Sequence, residues 1–306
     1  MTSPPITDPE VAHFIEKTEA AYPADANLAS AEENRRFYDD MCEKFRKPHP
    51  ADIESRDARI EDVPVRWYIP AKVEEDHAVI LYAHGGGFVV GSLESHDDVC
   101  AEIASSAGVV VISIDYSLAP DHLYPVALDE MERVWRHVAG NTKKAMVVGD
   151  SAGGNLSAAL CHRMKRLNGP MPVAQVLIYP GLGSDPDTPS RIENAEAPLL
   201  RAQDLEFYAD LYRGEVGLSD ISPEISPLKA KDFSNLPPAF IVTADVDPLR
   251  DDGMLYARSL KEAGVEAVWR NEPELVHGYL RARHMSQRAA ISFDAICEAI
   301  KGYAAV

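Results

Sequence analysis

At 306 residues the chain exceeds the usual single-domain size, yet one large α/β sheet domain can reach that length. Its composition, 46% apolar and 26% charged, is globular and excludes wholesale disorder. The 30 Lys and Arg against 49 Asp and Glu leave a formal charge of −19, a field that repels phosphate backbones, so neither nucleic acid nor an anionic membrane surface is expected as a partner.

The amino terminus, Met1-Thr2-Ser3-Pro4-Pro5, leads into Asp and Glu without a basic region and apolar core, so no secretory signal is expected. The first fifty residues are helical in character: Val11, Phe14 and Ile15 recur at helical spacing, as do Phe37, Tyr38 and Met41. Val63, Val65, Trp67 and Ile69 then alternate with other residues up to Pro70, the pattern of a half-buried strand. Glu74-Glu75-Asp76 predicts a charged turn, and residues 78–83 a continuous apolar strand. Further strands are expected over 109–114, 145–148, 173–179, 239–244 and 267–270, with helices over 126–138, 152–168 and 285–300. No apolar run approaches the roughly 18 residues of a membrane span.

Short apolar strands separated by helices predict a mostly parallel sheet covered on both faces, an α/β fold. Between Gly181 and Pro238 the alternation breaks, leaving one amphipathic segment (Leu205, Tyr208, Leu211, Tyr212) among Gly and Pro. An insertion there predicts a lid that pairs with the helical amino terminus. The expected organisation is a first cap segment over 1–50, catalytic core over 51–183, a second cap segment over 184–226, and core again over 227–306. Cys42, Cys100, Cys161 and Cys297 are scattered without metal-ligand spacing. They read as reduced, mostly buried thiols of a cytoplasmic protein with no metal site.

Gly149-Asp150-Ser151-Ala152-Gly153 lies between a predicted strand and a predicted helix, the context that a Gly-x-Ser-x-Gly nucleophile turn requires. The glycines suit a turn too tight for side chains, and the helix beginning at Ala152 aims backbone N–H groups at a developing oxyanion. His84-Gly85-Gly86-Gly87-Phe88 directly follows the strand over 78–83. Three consecutive glycines are costly to order, so they predict a close backbone approach to a substrate oxygen. A phosphate loop would need a Lys-Ser/Thr ending or a Gly-x-Gly-x-x-Gly spacing, and neither is present. His277 lies between the last strand and the last helix, at the sheet edge where Ser151 sits; His122, His137 and His162 lie away from strand ends and read as surface or core residues. Asp245 and Asp247, nearest the end of the strand over 239–244, are the leading candidates for the acid, ahead of Asp251 and Asp252. The order Ser, Asp, His is that of α/β-hydrolases.

Together these segments resemble the bacterial hormone-sensitive-lipase-like family of α/β-hydrolase carboxylesterases, over roughly residue 78 to the carboxyl terminus. His84-Gly85-Gly86-Gly87 is similar to the family's oxyanion motif, and Gly149-Asp150-Ser151-Ala152-Gly153-Gly154-Asn155 to its serine turn. Asp247-Pro248-Leu249-Arg250-Asp251 matches its acid segment, and His277-Gly278-Tyr279 its His-Gly-Phe with Tyr in place of Phe. The resemblance implies an α/β-hydrolase fold with a helical cap and a triad of Ser151, Asp247 and His277, Asp247 now preferred to Asp245. It also implies an oxyanion hole from Gly86, Gly87 and Ala152 with Gly85 in support. Ser117 stands where the family commonly has arginine, and Glu94, His96 and Asp97 are supporting residues. Phe88, Tyr208 and Tyr212 are candidates for substrate binding, although Phe207, Tyr208, Leu211 and Tyr212 read first as cap glue. The implied activity is hydrolysis of short- to medium-chain carboxylic esters, small molecules, without a cofactor; family members often form dimers, so a homodimer is allowed. Lactones, amides or carbamates as substrates, and a non-catalytic binding scaffold, stay open as alternatives.

Overall fold

The computed structural model describes residues 5–23, 30–73 and 77–305. The charged turn expected at Glu74-Glu75-Asp76 and residues 1–4 lie outside them. Eight strands form one sheet: β1 (Ile53–Ile60), β2 (Val63–Pro70), β3 (Val79–Ala83), β4 (Val110–Ile114), β5 (Ala145–Asp150), β6 (Gln175–Ile178), β7 (Ala239–Val246) and β8 (Ala267–Val276). Their order is β1-β2-β4-β3-β5-β6-β7-β8. The β1–β2 and β2–β4 pairs are antiparallel, and every other pair is parallel. β3, β4, β5 and β6 are buried at every position, which explains why they read as unbroken apolar runs.

Helices cover both faces, and alternate strand residues feed two cores. Ile80 and Tyr82 join one core with α3 (Asp97–Ala107), α9 (Gln287–Ala304) and residues of α1 (Pro9–Glu19) and α2 (Ala31–Glu43). Val79, Leu81 and Ala83 join the other with α4 (Val126–Asn141), α5 (Ala152–Leu167) and α8 (Arg250–Glu262). The amino-terminal helices carry strong start signals: Asp8 caps α1 and precedes Pro9, and Ser30 with Glu33 forms a capping box on α2. Between β6 and β7 stand α6 (Pro189–Glu193) and α7 (Ala202–Arg213), the latter holding the expected amphipathic segment. No described helix is long and apolar enough to cross a membrane, and all four cysteines are free and buried.

Sequence reading left β1, α3 and α8 unmarked and made β8 too short. β1 (IESRDARI) is an edge strand exposed at most positions, so its residues are charged and carry little apolar alternation. β8 is the other edge, and Pro273 and the charged residues in its second half obscure it.

Candidate active site

The catalytic candidates emerge from carboxyl ends of parallel strands. Ser151 follows β5 and is the N-cap of α5, with φ 54° and ψ −116°. That conformation is strained for a residue with a side chain, and it persists because the surroundings fix it. Ser151 N–H donates to Ile178 O (2.9 Å), and Asn155 N–H donates to Ser151 O (3.0 Å). The flanking glycines are sterically required: an added Cβ would stand 2.3 Å from Gly153 O at position 149, and 1.9 Å from Ala83 O at position 153.

His277, just past β8, places Nε2 2.8 Å from Ser151 Oγ and Nδ1 2.7 Å from Asp247 Oδ2. Asp247 is fully buried, and its Oδ1 accepts from Leu249 N–H (2.8 Å). A register shift between Ala244 and Val246 ends the regular β7–β8 pairing just before Asp247. Asp245 instead accepts from Asn271 Nδ2 (2.8 Å), so the geometry separates the two aspartates that sequence spacing left adjacent. Asn194, beside α6, donates to the backbone carbonyls of both Asp245 and Asp247 (3.1 Å each). Asp252 is fully buried elsewhere, accepting from Leu182 N–H (2.6 Å), Gly183 N–H (2.9 Å) and Ser184 Oγ.

The glycine loop follows β3. Gly86 has φ +125°, and a Cβ there would stand 2.1 Å from Val90 O, so only glycine fits this turn. Among the described residues, the N–H groups of Gly86, Gly87 and Ala152 meet no protein acceptor. Gly86, Gly87, Ser151, Ala152 and His277 all border one cavity of about 1460 Å³.

Sequence reasoning missed the residue that joins the glycine loop to the serine turn. Asp150, buried, accepts from Gly85 N–H (2.9 Å) and Tyr82 Oη (2.8 Å), and its Oδ2 lies 3.3 Å from His96 Nε2. Burial opposes its charge, but His96 and the hydrogen bonds from His96 and Tyr82 prevail, holding the carboxyl down at about 2. His96 is therefore a supporting residue through Asp150. Next to it, burial pushes the His84 imidazole down to about 4; its ring stacks on Tyr116, 4.3 Å between centroids. Glu94 and Asp97 lie farther out, paired with Arg66 (2.8 and 3.0 Å). Ser117 donates from Oγ to Glu130 (2.8 Å), the contact that stands at the family's arginine position.

Phe88 and Tyr212 stack face to face, 3.8 Å between centroids and 7° between planes, and Tyr208 covers Gly87. All three border the cavity, so the α7 aromatics act both as glue and as lining. Tyr212 is buried while Phe207, five positions earlier on α7, is 59% exposed. His162 packs in the core against Phe233 and Tyr256, as its helical context predicted. Among the described residues no cluster of His, Cys, Asp and Glu could hold a metal ion.

A family model described as the alpha/beta hydrolase fold matches residues 80–281. Carboxylesterase NlhH of Mycobacterium tuberculosis (strain ATCC 25618 / H37Rv) is 41% identical over 231 residues, 72% of this chain and 72% of that protein. Ethyl acetate hydrolase of Pseudomonas putida is 32% identical over 317 residues, 96% of this chain and 98% of that protein. The crystal structure of an esterase from the bacterial hormone-sensitive lipase family superposes with a TM-score of 0.88 at 27% identity, covering 97% of this chain and 99% of that one.

Proposed function

The chain belongs to the bacterial hormone-sensitive-lipase-like family of α/β-hydrolases, and from that premise we propose that it is a serine carboxylesterase acting through Ser151, His277 and Asp247. The observation that carries this reading is the unbroken chain Ser151 Oγ–His277–Asp247, with links of 2.8 and 2.7 Å, opening on a cavity. Ser151 Oγ attacks the ester carbonyl carbon while His277 Nε2 takes its proton, and Asp247 fixes the imidazole tautomer and stabilises the imidazolium. The carbonyl electron pair moves onto oxygen, where the N–H groups of Gly86, Gly87 and Ala152 receive it; each such donor is worth about 3 kcal/mol in the transition state. The alcohol then leaves with the proton from His277, and water, deprotonated by the same imidazole, cleaves the acyl-enzyme. Asp150 and Gly85 hold the glycine loop and take no part in proton transfer.

The cap comprises residues 1–50 and 184–226, whose described helices α2 and α7 border the cavity over Ser151. Short- to medium-chain esters are the substrates, a reading supported by a relative named for ethyl acetate. Buried free thiols and a charge of −19 support a cytoplasmic protein that meets small molecules instead of nucleic acid or membranes. Ser151→Ala should retain the unfolding transition of the wild type and lose p-nitrophenyl ester hydrolysis at least a thousandfold; wild-type rates in that variant would refute the assignment.

A further inference from the structure

On the wall of the same cavity, four residues past His277, stands Arg281, in a short 3₁₀ turn over Tyr279–Ala282. A guanidinium carries five N–H donors. Here, among the described residues, one nitrogen has a protein acceptor: Nη1 lies 3.3 Å from Tyr38 Oη, while Nε is buried without a partner. The group also lies over the Tyr38 ring, 5.7 Å from its centroid. No carboxylate among the described residues pairs with it, and the groups around it are Tyr22, Tyr38, Cys42 and Tyr179. Its neighbours cannot supply the missing charge: burial pushes the phenols of Tyr22, Tyr38 and Tyr179 up, and the Cys42 thiol up to about 12. A partly buried cation without a counter-charge is costly, and a fold in which it faces a ligand cavity leaves that charge for the ligand.

The overall charge of −19 would be expected to turn anions away. Screening limits surface fields to about 8 Å at physiological salt, so the local inventory decides. Of the six carboxylates bordering the cavity, Asp185, Asp204 and Asp210 are paired with Lys229, Arg201 and Arg213, and Glu19 and Glu206 are exposed to solvent, where their fields are screened. Asp150 is bound by Gly85, Tyr82 and His96. Guanidinium is planar and matches a carboxylate better than it matches a neutral ester oxygen. The cavity, about 1460 Å³, has room for a substrate that extends past the reacting carbonyl on the α2 side.

We propose that Arg281 is a specificity residue that receives a carboxylate borne by the ester, so that monoesters of dicarboxylic acids are the preferred substrate class. This rests on the carboxylesterase reading above. Hydrolysis of monoethyl succinate, glutarate and adipate should be compared with that of the matching diethyl esters. For the chain length that best spans Ser151 and Arg281, the wild-type ratio of kcat/KM, monoester over diester, should fall roughly 10- to 100-fold in Arg281→Gln. Arg281→Lys should keep part of that ratio, and Tyr38→Phe, which retains the guanidinium, should keep most of it. Calorimetry gives a second reading without turnover: monoethyl glutarate should bind Ser151→Ala and lose that binding when Arg281→Gln is added. Equal ratios in wild type and Arg281→Gln at all three chain lengths would overturn the proposal while leaving the esterase intact. Arg281-dependent binding without turnover would instead keep the anion site and remove the esterase. Neither turnover nor Arg281-dependent binding would remove both. If Arg281→Gln does not show a cooperative thermal transition, the Arg281→Lys and Tyr38→Phe ratios decide: a Lys ratio as high as the wild type's, or a Phe ratio that collapses, contradicts guanidinium recognition.

Discussion

One substitution, Gly to Ala, should act in opposite directions at two helical positions. Gly153 lies in the first turn of α5, and an added Cβ there would stand 1.9 Å from Ala83 O, 2.5 Å from Ala83 C and 2.6 Å from His84 O. All three are backbone atoms at the end of β3, so no side-chain rotation relieves the clash. Reaching even a 3.0 Å contact needs a displacement of about 1 Å, and that displacement separates Ser151 from the glycine loop. Overpacking of this kind costs about 3 kcal/mol, and a 1 Å misplacement of reacting groups about a hundredfold in rate. Gly302, near the end of α9, has nothing within 4 Å of its Cβ position. Alanine there restricts the unfolded chain at no steric cost and should stabilise by about 0.5 kcal/mol. Urea unfolding midpoints with unchanged slopes, together with kcat/KM on one p-nitrophenyl ester, measure both effects. A Gly153→Ala enzyme with wild-type stability and rate, or a Gly302→Ala protein that is less stable, would refute the reasoning.

Two further outcomes follow from buried charge. Burial pushes the His162 imidazole down to about 4, as it does that of His84, so the unfolded chain binds these protons first. Stability should therefore be complete above about pH 6.5 and fall toward pH 4 by up to about 1.4 kcal/mol per pH unit for each group. His162→Gln should flatten the slope of urea midpoint against pH, and an unaltered slope would contradict this account. Arg163, buried in α5, holds Asp129 of α4 (2.6 Å) and Glu224 (2.8 Å). Glu224 is also held by Arg166 (2.7 Å), so Arg163→Ala should cost about 2 kcal/mol, the loss of the charged hydrogen bonds on Glu224 Oε2 and Asp129, and Arg163→Met with Glu224→Met should recover much of it; a single-variant cost below about 1 kcal/mol would count against the buried network.

The elements that build the sheet centre were legible because burial on both faces demands apolar runs, and β3, β5 and β7 therefore stood out. Ser151 and the glycine loop were legible because each follows such a strand directly, and His277 because it stands between the last strand and the last helix, although β8 itself read too short. β1 was not, since an exposed edge strand keeps charged residues that conceal its period. The preference for Asp247 over Asp245 came from resemblance, and in the structure each aspartate has a different partner, His277 or Asn271. Asp150 sat in full view as the variable position of Gly-x-Ser-x-Gly. Its role was hidden because its partners Tyr82, Gly85 and His96 are 68, 65 and 54 positions away. Arg281 was hidden for a related reason: its unmet charge becomes visible only once Tyr22, Tyr38, Cys42 and Tyr179 are found around it.

Acyl transfer depends on the distance between an attacking oxygen and a set of N–H donors, not on where either stands in the molecule. Asp150 precedes Ser151, the proposed nucleophile, by one peptide bond and grips Gly85 N–H at 2.9 Å, one residue before Gly86. That bond ties the two loops, so neither can shift far without straining it. Such coupling removes the relative motion to which the reaction is sensitive while leaving the absolute motion free. The link uses no atom of α2 or α7, so side chains of those helices can differ without altering the spacing between Ser151 and the glycine loop.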